Sequence, residues 1–308
     1  VQIYLPIAEL PVSIFLILGM AAAVGFISGM FGVGGGFLMT PLLVFLGIPP
    51  AVAVATGAAQ IAAASMTSVL SSWRKKALDV RLGTVLAIGG TVGTLLGVMF
   101  FNSMRRAGYF DVVLVVSYVT LLGSVGGMML FESIRATFFP SRVPQRRPKP
   151  ADGRWWFATL PMPMPFPQSG LVISVIPVLA LGLFIGFAGA VLGIGGGFIV
   201  VPALIYFFRV PASVVVGTSL WQILLTMIVA TMLHALTNQS VDFVLALILI
   251  VGSVVGAQFG TRVGMTLRGE HFRLLLAVLV FGVAVRFAIE VIVKPQEAFS
   301  IGQQETRQ

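Results

Sequence analysis

Cysteine is absent from all 308 residues, which removes disulfides, thiolate metal sites and a cysteine nucleophile. Charge is scarce as well: Asp, Glu, Lys and Arg make up 9% of the chain, against about 25% in soluble domains. Acidic residues number 10, and Asp79, Asp111, Glu132 and Asp242 all sit at the ends of apolar runs. With no carboxylate clearly in mid-run, the pattern argues against a proton relay or a charged cation site inside the apolar region. Histidine occurs twice, at His234 and His271, each at a segment end and without ligand partners at metal spacing. Both rings read as interfacial, and neither a metal nor any other cofactor is expected. A membrane-embedded enzyme would need a ligand set, a nucleophile with its base, or paired carboxylates in an apolar run, and the sequence offers none.

What fills the chain instead is apolar: 58% of residues are hydrophobic and the mean hydropathy is +1.05. Runs of about 20 apolar residues, enough to cross a bilayer, recur from end to end. The fold class expected is therefore all-α and polytopic, with the lipid bilayer as its surroundings. A net charge of +9 would suggest nucleic acid in a soluble chain. Here Lys and Arg lie mainly between the apolar runs, as orientation signals do, so no nucleic acid is expected. The first run has no basic residue ahead of it and reads as a span rather than a signal peptide.

One stretch occurs twice. Gly25-Phe26 leads through Gly32-Val33-Gly34-Gly35-Gly36-Phe37 to Pro41, and Gly186-Phe187 leads through Gly193-Ile194-Gly195-Gly196-Gly197-Phe198 to Pro202. Glycine costs roughly 1 kcal/mol in a helix interior, so each long apolar helix is expected to break at its cluster. Such a break must be covered by protein or line a water-filled cavity.

Around each break the chain divides into five apolar segments. In the first half these are a (Leu10 to Phe31), b (Phe37 to Ile48), c (Ala51 to Trp73), d (Leu82 to Phe101) and e (Phe110 to Phe131). The second half repeats them: a′ from Leu171, b′ from Phe198 to Phe208, c′ from Ala212 to Leu236, d′ from Phe243 to Val263, and e′ from Phe272 to Val293. Pro49, Thr56, Gln60-Ile61 and Asp79 match Pro211, Thr218, Gln222-Ile223 and Asp242 in order. Gly89, Gly93 and Gly97 match Gly252, Gly256 and Gly260, a small residue every fourth position that reads as a helix-packing stripe. The organisation expected is a first repeat over 1–131, a proline-rich basic linker over 132–170, and a second repeat over 171–308. The linker ends in Pro161-Met162-Pro163-Met164-Pro165-Phe166-Pro167, which reads as extended polyproline II, and its Trp155-Trp156 could rest among lipid headgroups.

Charge sets the expected orientation. The c–d connection carries Arg74, Lys75, Lys76 and Arg81, whereas its partner, His234 to Ser240, carries no Lys or Arg. With a cytoplasmic linker and five crossings per half, Arg74 to Arg81, Arg209, Arg262, Arg268 and Arg273 fall inside; Arg105-Arg106 is the exception. An odd number of crossings predicts inverted repeats. The alternative makes a–b a re-entrant hairpin, expected to leave the halves parallel.

Gly34, Gly35 and Gly36, with Gly195, Gly196 and Gly197, lack the Gly-Lys-Ser/Thr of a phosphate loop and the spacing of a dinucleotide fingerprint. They would instead free backbone N–H groups at the positive end of a helix dipole, an anion site. Beside them stand Thr56 and Gln60, and Thr218, Ser219 and Gln222, with Thr to Gln one turn apart, and Thr40 just past the first break. Neutral donors suit an anion that must be bound and released; interhelical hydrogen bonding is the competing explanation. Arg286, with Glu290 four residues on, reads as a pair near a helix end.

The doubled glycine break with its following proline, the Thr-x3-Gln of the next helix, and the repeat of the whole unit resemble the TauE/SafE family of sulfite and organosulfonate exporters. The resemblance covers essentially the full chain apart from 132–170. It implies a multi-pass transporter of a small sulfur-containing anion such as sulfite, sulfoacetate or thiosulfate, in a bacterial inner membrane. Two readings stay open beside it: transport of another small anion, and a non-transporting membrane scaffold.

Overall fold

A computed structural model describes residues 2–138, 161–264, 278, 280–286 and 289. The chain runs β1 (Gln2–Leu5), β2 (Leu10–Ser13), α1 (Ile14–Phe31), α2 (Gly36–Phe45), α3 (Pro50–Arg74), α4 (Val80–Arg106) and α5 (Phe110–Phe138). It continues with β3 (Pro163–Phe166), β4 (Leu171–Ser174), α6 (Val175–Leu192), α7 (Gly197–Pro202), a π-helical turn (Ala203–Phe207), α8 (Ala212–Asn238) and α9 (Phe243–Gly264). Seven of these helices, α1, α3, α4, α5, α6, α8 and α9, are long and apolar enough to cross a membrane. The protein is an all-α multi-pass membrane protein.

Both helix breaks form where the glycines predict. Gly32 ends α1 at φ 69° and Gly193 ends α6 at φ 66°, left-handed positions that close the helices through N–H bonds to Ser28 O and Gly189 O.

The repeat unit begins earlier than the apolar pattern suggests. Each broken helix is preceded by an antiparallel hairpin, β1–β2 in the first half and β3–β4 in the second. The turns match: Pro6 and Pro167 open them, and Glu9 and Gly170 close them at φ 54° and 65° with bonds to Leu5 O and Phe166 O. Pro163 to Phe166 is thus a paired strand rather than free polyproline II. At its other end the linker is shortened by α5, which runs on to Phe138. Trp155-Trp156, His271, Glu290 and most of segment e′ lie outside the described residues.

The halves do not sit side by side; they exchange partners. α1 lies along α9, and α6 lies along α4. The glycine stripe makes this possible, because Cβ atoms on Gly89, Gly93 and Gly97 would run into the carbonyls of Leu179, Leu183 and Phe187 on α6. On the other side, Cβ atoms on Gly252, Gly256 and Gly260 would meet those of Leu18, Ala22 and Phe26 on α1. The stripes are therefore surfaces of backbone-to-backbone approach.

Two buried aspartates pin the exchange. Asp79 caps α4: its Oδ1 accepts from Leu82 N (3.1 Å), and its Oδ2 accepts from Ser169 N (3.0 Å) and Ser169 Oγ (2.7 Å) in the β3–β4 turn. Its own N–H donates to Thr218 Oγ1 on α8 (3.0 Å). Asp242 repeats the joint on α9, accepting from Leu245 N (3.0 Å) and from Ile7 N in the β1–β2 turn (2.9 Å), and donating to Thr56 Oγ1 on α3 (3.0 Å). Every joint thus ties one half's α4 or α9 to the other half's hairpin and long helix. Segment ends were legible in the sequence; burial of their carboxylates was not.

A measurable consequence follows from the bond counts. Asp79→Ala strands the Leu82 and Ser169 donors and is expected to cost about 3 kcal/mol or more, since hydrogen bonds to a charged group are each worth roughly 1.5–3 kcal/mol. Asp242→Ala, with one partner fewer, should cost less, and Asp111→Ala, at an exposed first-turn position, almost nothing. Thermal melting in detergent ranks the three; equal midpoints would remove the joints from the stability of the fold.

Candidate functional site

The two breaks, 161 residues apart, press against each other. A Cβ on Gly36 would overlap the carbonyl oxygen of Gly193, and one on Gly197 would overlap that of Val33. Around them stand Ile61 of α3 and Ile223 of α8: Cβ atoms on Gly34 and Gly195 would lie 3.0–3.5 Å from their side chains. Gly35 and Gly196 cap the starts of α2 and α7 at φ 65° and 77°. Gly34 and Gly195 are also left-handed, at φ 85° and 75°. Among the described residues, the N–H groups of Val33, Gly34 and Gly35, and of Ile194, Gly195 and Gly196, donate no hydrogen bond. All six residues are buried.

The carbonyls at the breaks are satisfied across the halves. Thr40 Oγ1 donates to Gly193 O (3.2 Å), and Ser219 Oγ shares its one proton between Gly32 O (3.2 Å) and Val216 O of its own helix (2.9 Å). The two hydroxyls come from different elements, α2 and α8, yet do the same thing. Gly57, which matches Ser219 in the repeat, leaves room for Thr40, whose Oγ1 would lie 3.4 Å from a Cβ there. Tyr118 adds a third bond, donating to Leu192 O at 2.7 Å from a fully buried ring on α5. Sequence reasoning missed Tyr118, although a tyrosine in mid-segment, whose hydroxyl must find a partner, was the available signal.

Thr56 and Thr218 are taken up by the aspartate joints, where their hydroxyls accept from Asp242 N and Asp79 N. Thr218 is fully engaged, because its hydroxyl also donates to Val214 O (2.8 Å). Gln60 and Gln222 are different. Both amides are buried, and among the described residues neither Nε2 nor Oε1 of Gln60 has a partner; Gln222 lacks one at Oε1, while its Nε2 reaches Thr226 Oγ1 at 3.3 Å. Ser65 and Ser68, further along α3, are also buried with unpaired hydroxyls. An unpaired buried polar group costs about 1–3 kcal/mol, and the cluster on α3 begins at the residue next to Ile61, which walls the breaks.

One expectation changes: His234 is fully buried rather than interfacial, its Nε2 3.1 Å from Ala190 O and its ring 4.6 Å from Phe101. Arg286 lies over the Phe45 ring at 5.1 Å, at the end of α2, and its pairing with Glu290 falls outside the described residues.

Paired helix breaks with open backbone donors, and buried amides on α3 and α8, thus stand within a bundle of helices long and apolar enough to cross a membrane. The chain belongs to the family described as sulfite exporter TauE/SafE, which it matches over residues 17–287. Its relatives are named as transporters. The "Probable membrane transporter protein YjnA" of Bacillus subtilis is 29% identical over 85% of this chain and 94% of its own length. A "Probable membrane transporter protein" of Xylella fastidiosa is 29% identical over 81% and 84%. The "Probable membrane transporter protein MJ0441" of Methanocaldococcus jannaschii is 23% identical over 88% and 95%. No solved structure matches. The protein is a membrane transporter, not an enzyme.

Proposed function

We propose that this transporter exports a small oxyanion of sulfur, sulfite or a sulfonate such as sulfoacetate, across a bacterial inner membrane, holding it where the two breaks meet. The observation that carries the proposal is the Gln60 amide, buried with both polar ends unpaired among the described residues, one position before Ile61, whose side chain walls the breaks. A bound oxyanion accepts from Nε2 and from the free N–H groups of Val33 to Gly35 and Ile194 to Gly196, at the start of α2 and α7. Gln222 serves from the second half. In this reading Thr40 and Ser219 hold the break carbonyls back from the anion, and Thr56 and Thr218 hold the joints. No cation is needed, because neutral donors bind an anion without trapping it.

Alternating access follows from halves that are inverted copies. Support for inversion comes from α3 and α8: Ile61 clusters with Ile223 and Met227, Val69 with Leu220, and a Cβ on Gly217 would lie 3.0 Å from Ser72, so the matched helices run in opposite directions. The breaks turn back. Gly47 at the end of α2 lies by Leu10 of the first hairpin, and Phe208 and Val210 cluster with Phe166 of the second. Segments a and b then enter and leave on one side, and three crossings per half remain. Three is odd, so the re-entrant arrangement also inverts the halves, and the expectation that it would make them parallel was an error of counting.

The orientation is tested with single cysteines in this cysteine-free chain. Lys76→Cys should be labelled by an impermeant thiol reagent only from the cytoplasmic side, and Gln239→Cys only from the other; both positions are exposed. Labelling of both from one side sinks the inverted arrangement. The substrate is tested by efflux of radiolabelled sulfite, sulfoacetate and sulfate from proteoliposomes, with and without a pH gradient. Faster efflux of the first two than from protein-free vesicles is expected, and no efflux of any sulfur oxyanion overturns the proposal.

A further inference from the structure

Arg105 and Arg106 break the charge pattern of the chain, and the site at the breaks gives them no task. They end α4, the end away from the basic Arg74 to Arg81 connection. There they line an open cleft of about 300 Å³ together with Asn102, Thr237 and Asn238. Among the described residues no carboxylate lines it and neither guanidinium has an acidic partner. A helix C-terminus attracts basic residues, but that effect asks for no polar cleft and no second arginine. The oxygen end of the Asn102 amide is buried and unpaired; turning the amide puts a donor there instead.

The cleft is also held rigid. Arg105 Nη1 donates to Asn238 O (3.3 Å) and Ser240 Oγ (2.6 Å). The Asn238 amide lies 3.1 Å from His234 Nδ1, whose Nε2 faces Ala190 O at 3.1 Å. A carbonyl can only accept, so Nε2 carries the proton, Nδ1 accepts from Asn238, and the wall of the cleft is tied to the last turn of α6 before its break. Leu95, Leu96 and Met99 of α4 and Met232 and Leu236 of α8 are exposed and apolar just before the cleft, which sets it at headgroup depth.

We propose that this cleft is a second anion site, binding one oxyanion through the Arg105 and Arg106 guanidiniums with Asn102 and Thr237 completing the shell. Forked guanidinium donors match oxyanion geometry, and a site at the mouth raises the anion's local concentration there. The same chemistry is offered by a free oxyanion, on its way to or from the breaks, and by the phosphate of an anionic lipid. The free-anion role rests on the transport reading above; binding at the cleft does not.

The test uses the full chain with Gln60→Leu as background, so that binding at the breaks is weakened and the arginine dependence of what remains separates the two proposals. Sulfite and inorganic phosphate are titrated calorimetrically into protein in lipid-free detergent, and phosphatidylglycerol is added in native mass spectrometry. Adding Arg105→Gln with Arg106→Gln should weaken whichever anion binds by roughly tenfold or more, the loss expected for hydrogen bonds to charged groups. Thr237→Glu, which keeps both arginines and puts a carboxylate in the cleft, should do the same if the double variant does not fold. Arginine-dependent sulfite or phosphate binding identifies a free anion as occupant, and arginine-dependent phosphatidylglycerol binding alone identifies lipid. Binding that survives both variants, or no binding of any of the three, overturns the site.

Discussion

Alanine at Gly36 or Gly197 is expected to abolish transport. Each new Cβ would overlap a carbonyl oxygen of the opposite break, Gly193 O or Val33 O. Backbone cannot swing aside as a side chain can, so the breaks must separate, and overpacking of this kind costs about 1–3 kcal/mol even where a core can relax. The unpaired N–H groups of the two breaks are then moved apart. Gly35→Val and Gly196→Val should also remove transport, through strain at φ 65° and 77° and, at 196, through overlap with Ile185. Gly93→Ala provides the contrast. It crowds α4 against α6 at Leu183 O rather than one break against the other, and should lower the melting midpoint more than it changes apparent affinity. Initial rates in proteoliposomes and melting midpoints in detergent separate the two effects. A folded Gly36→Ala protein with wild-type rate would show that contact between the breaks is not needed.

Leucine at Gln60 should make the empty protein more stable and a worse transporter. The amide carries two buried unpaired atoms, each worth about 1–3 kcal/mol against the folded state. An apolar side chain of similar size removes that cost. Stability lost to unpaired polar groups is the mark of a site waiting for a ligand. The melting midpoint of the ligand-free variant should therefore rise, while sulfite shifts it less than it shifts wild type. Gln222→Leu should follow in the same direction but less strongly, because its Nε2 already reaches Thr226. A lower midpoint for Gln60→Leu would mean that the amide has partners in the folded protein and that the site lies elsewhere.

Much of this was legible in the sequence because it depends on local chemistry. Consecutive glycines break helices in any context, so both breaks stand where the clusters predict, and Gly89, Gly93 and Gly97 pack as their spacing requires. What stayed hidden depends on partners far along the chain. Thr56 and Gln60 sit one turn apart and look alike in one dimension, yet Asp242 takes the first and nothing takes the second. The two hairpins were missed for a different reason. Strands of four residues carry too little alternation to detect, and in Pro163 to Phe166 the prolines speak for polyproline II until pairing with Leu171 to Ser174 decides otherwise. His234 was misplaced because a segment end need not be a surface when another helix, here α6, covers it.

The most direct measurement is the initial rate of radiolabelled sulfite flux in proteoliposomes for wild type and Gln60→Leu, reconstituted at equal amounts and shown by melting to be folded. The central claim, that an unpaired amide beside two opposed helix breaks holds the anion, predicts saturable flux by wild type and a rate reduced by roughly tenfold or more at low sulfite in the variant, as loss of a hydrogen bond to a charged ligand implies. Equal rates from the two folded proteins would contradict it.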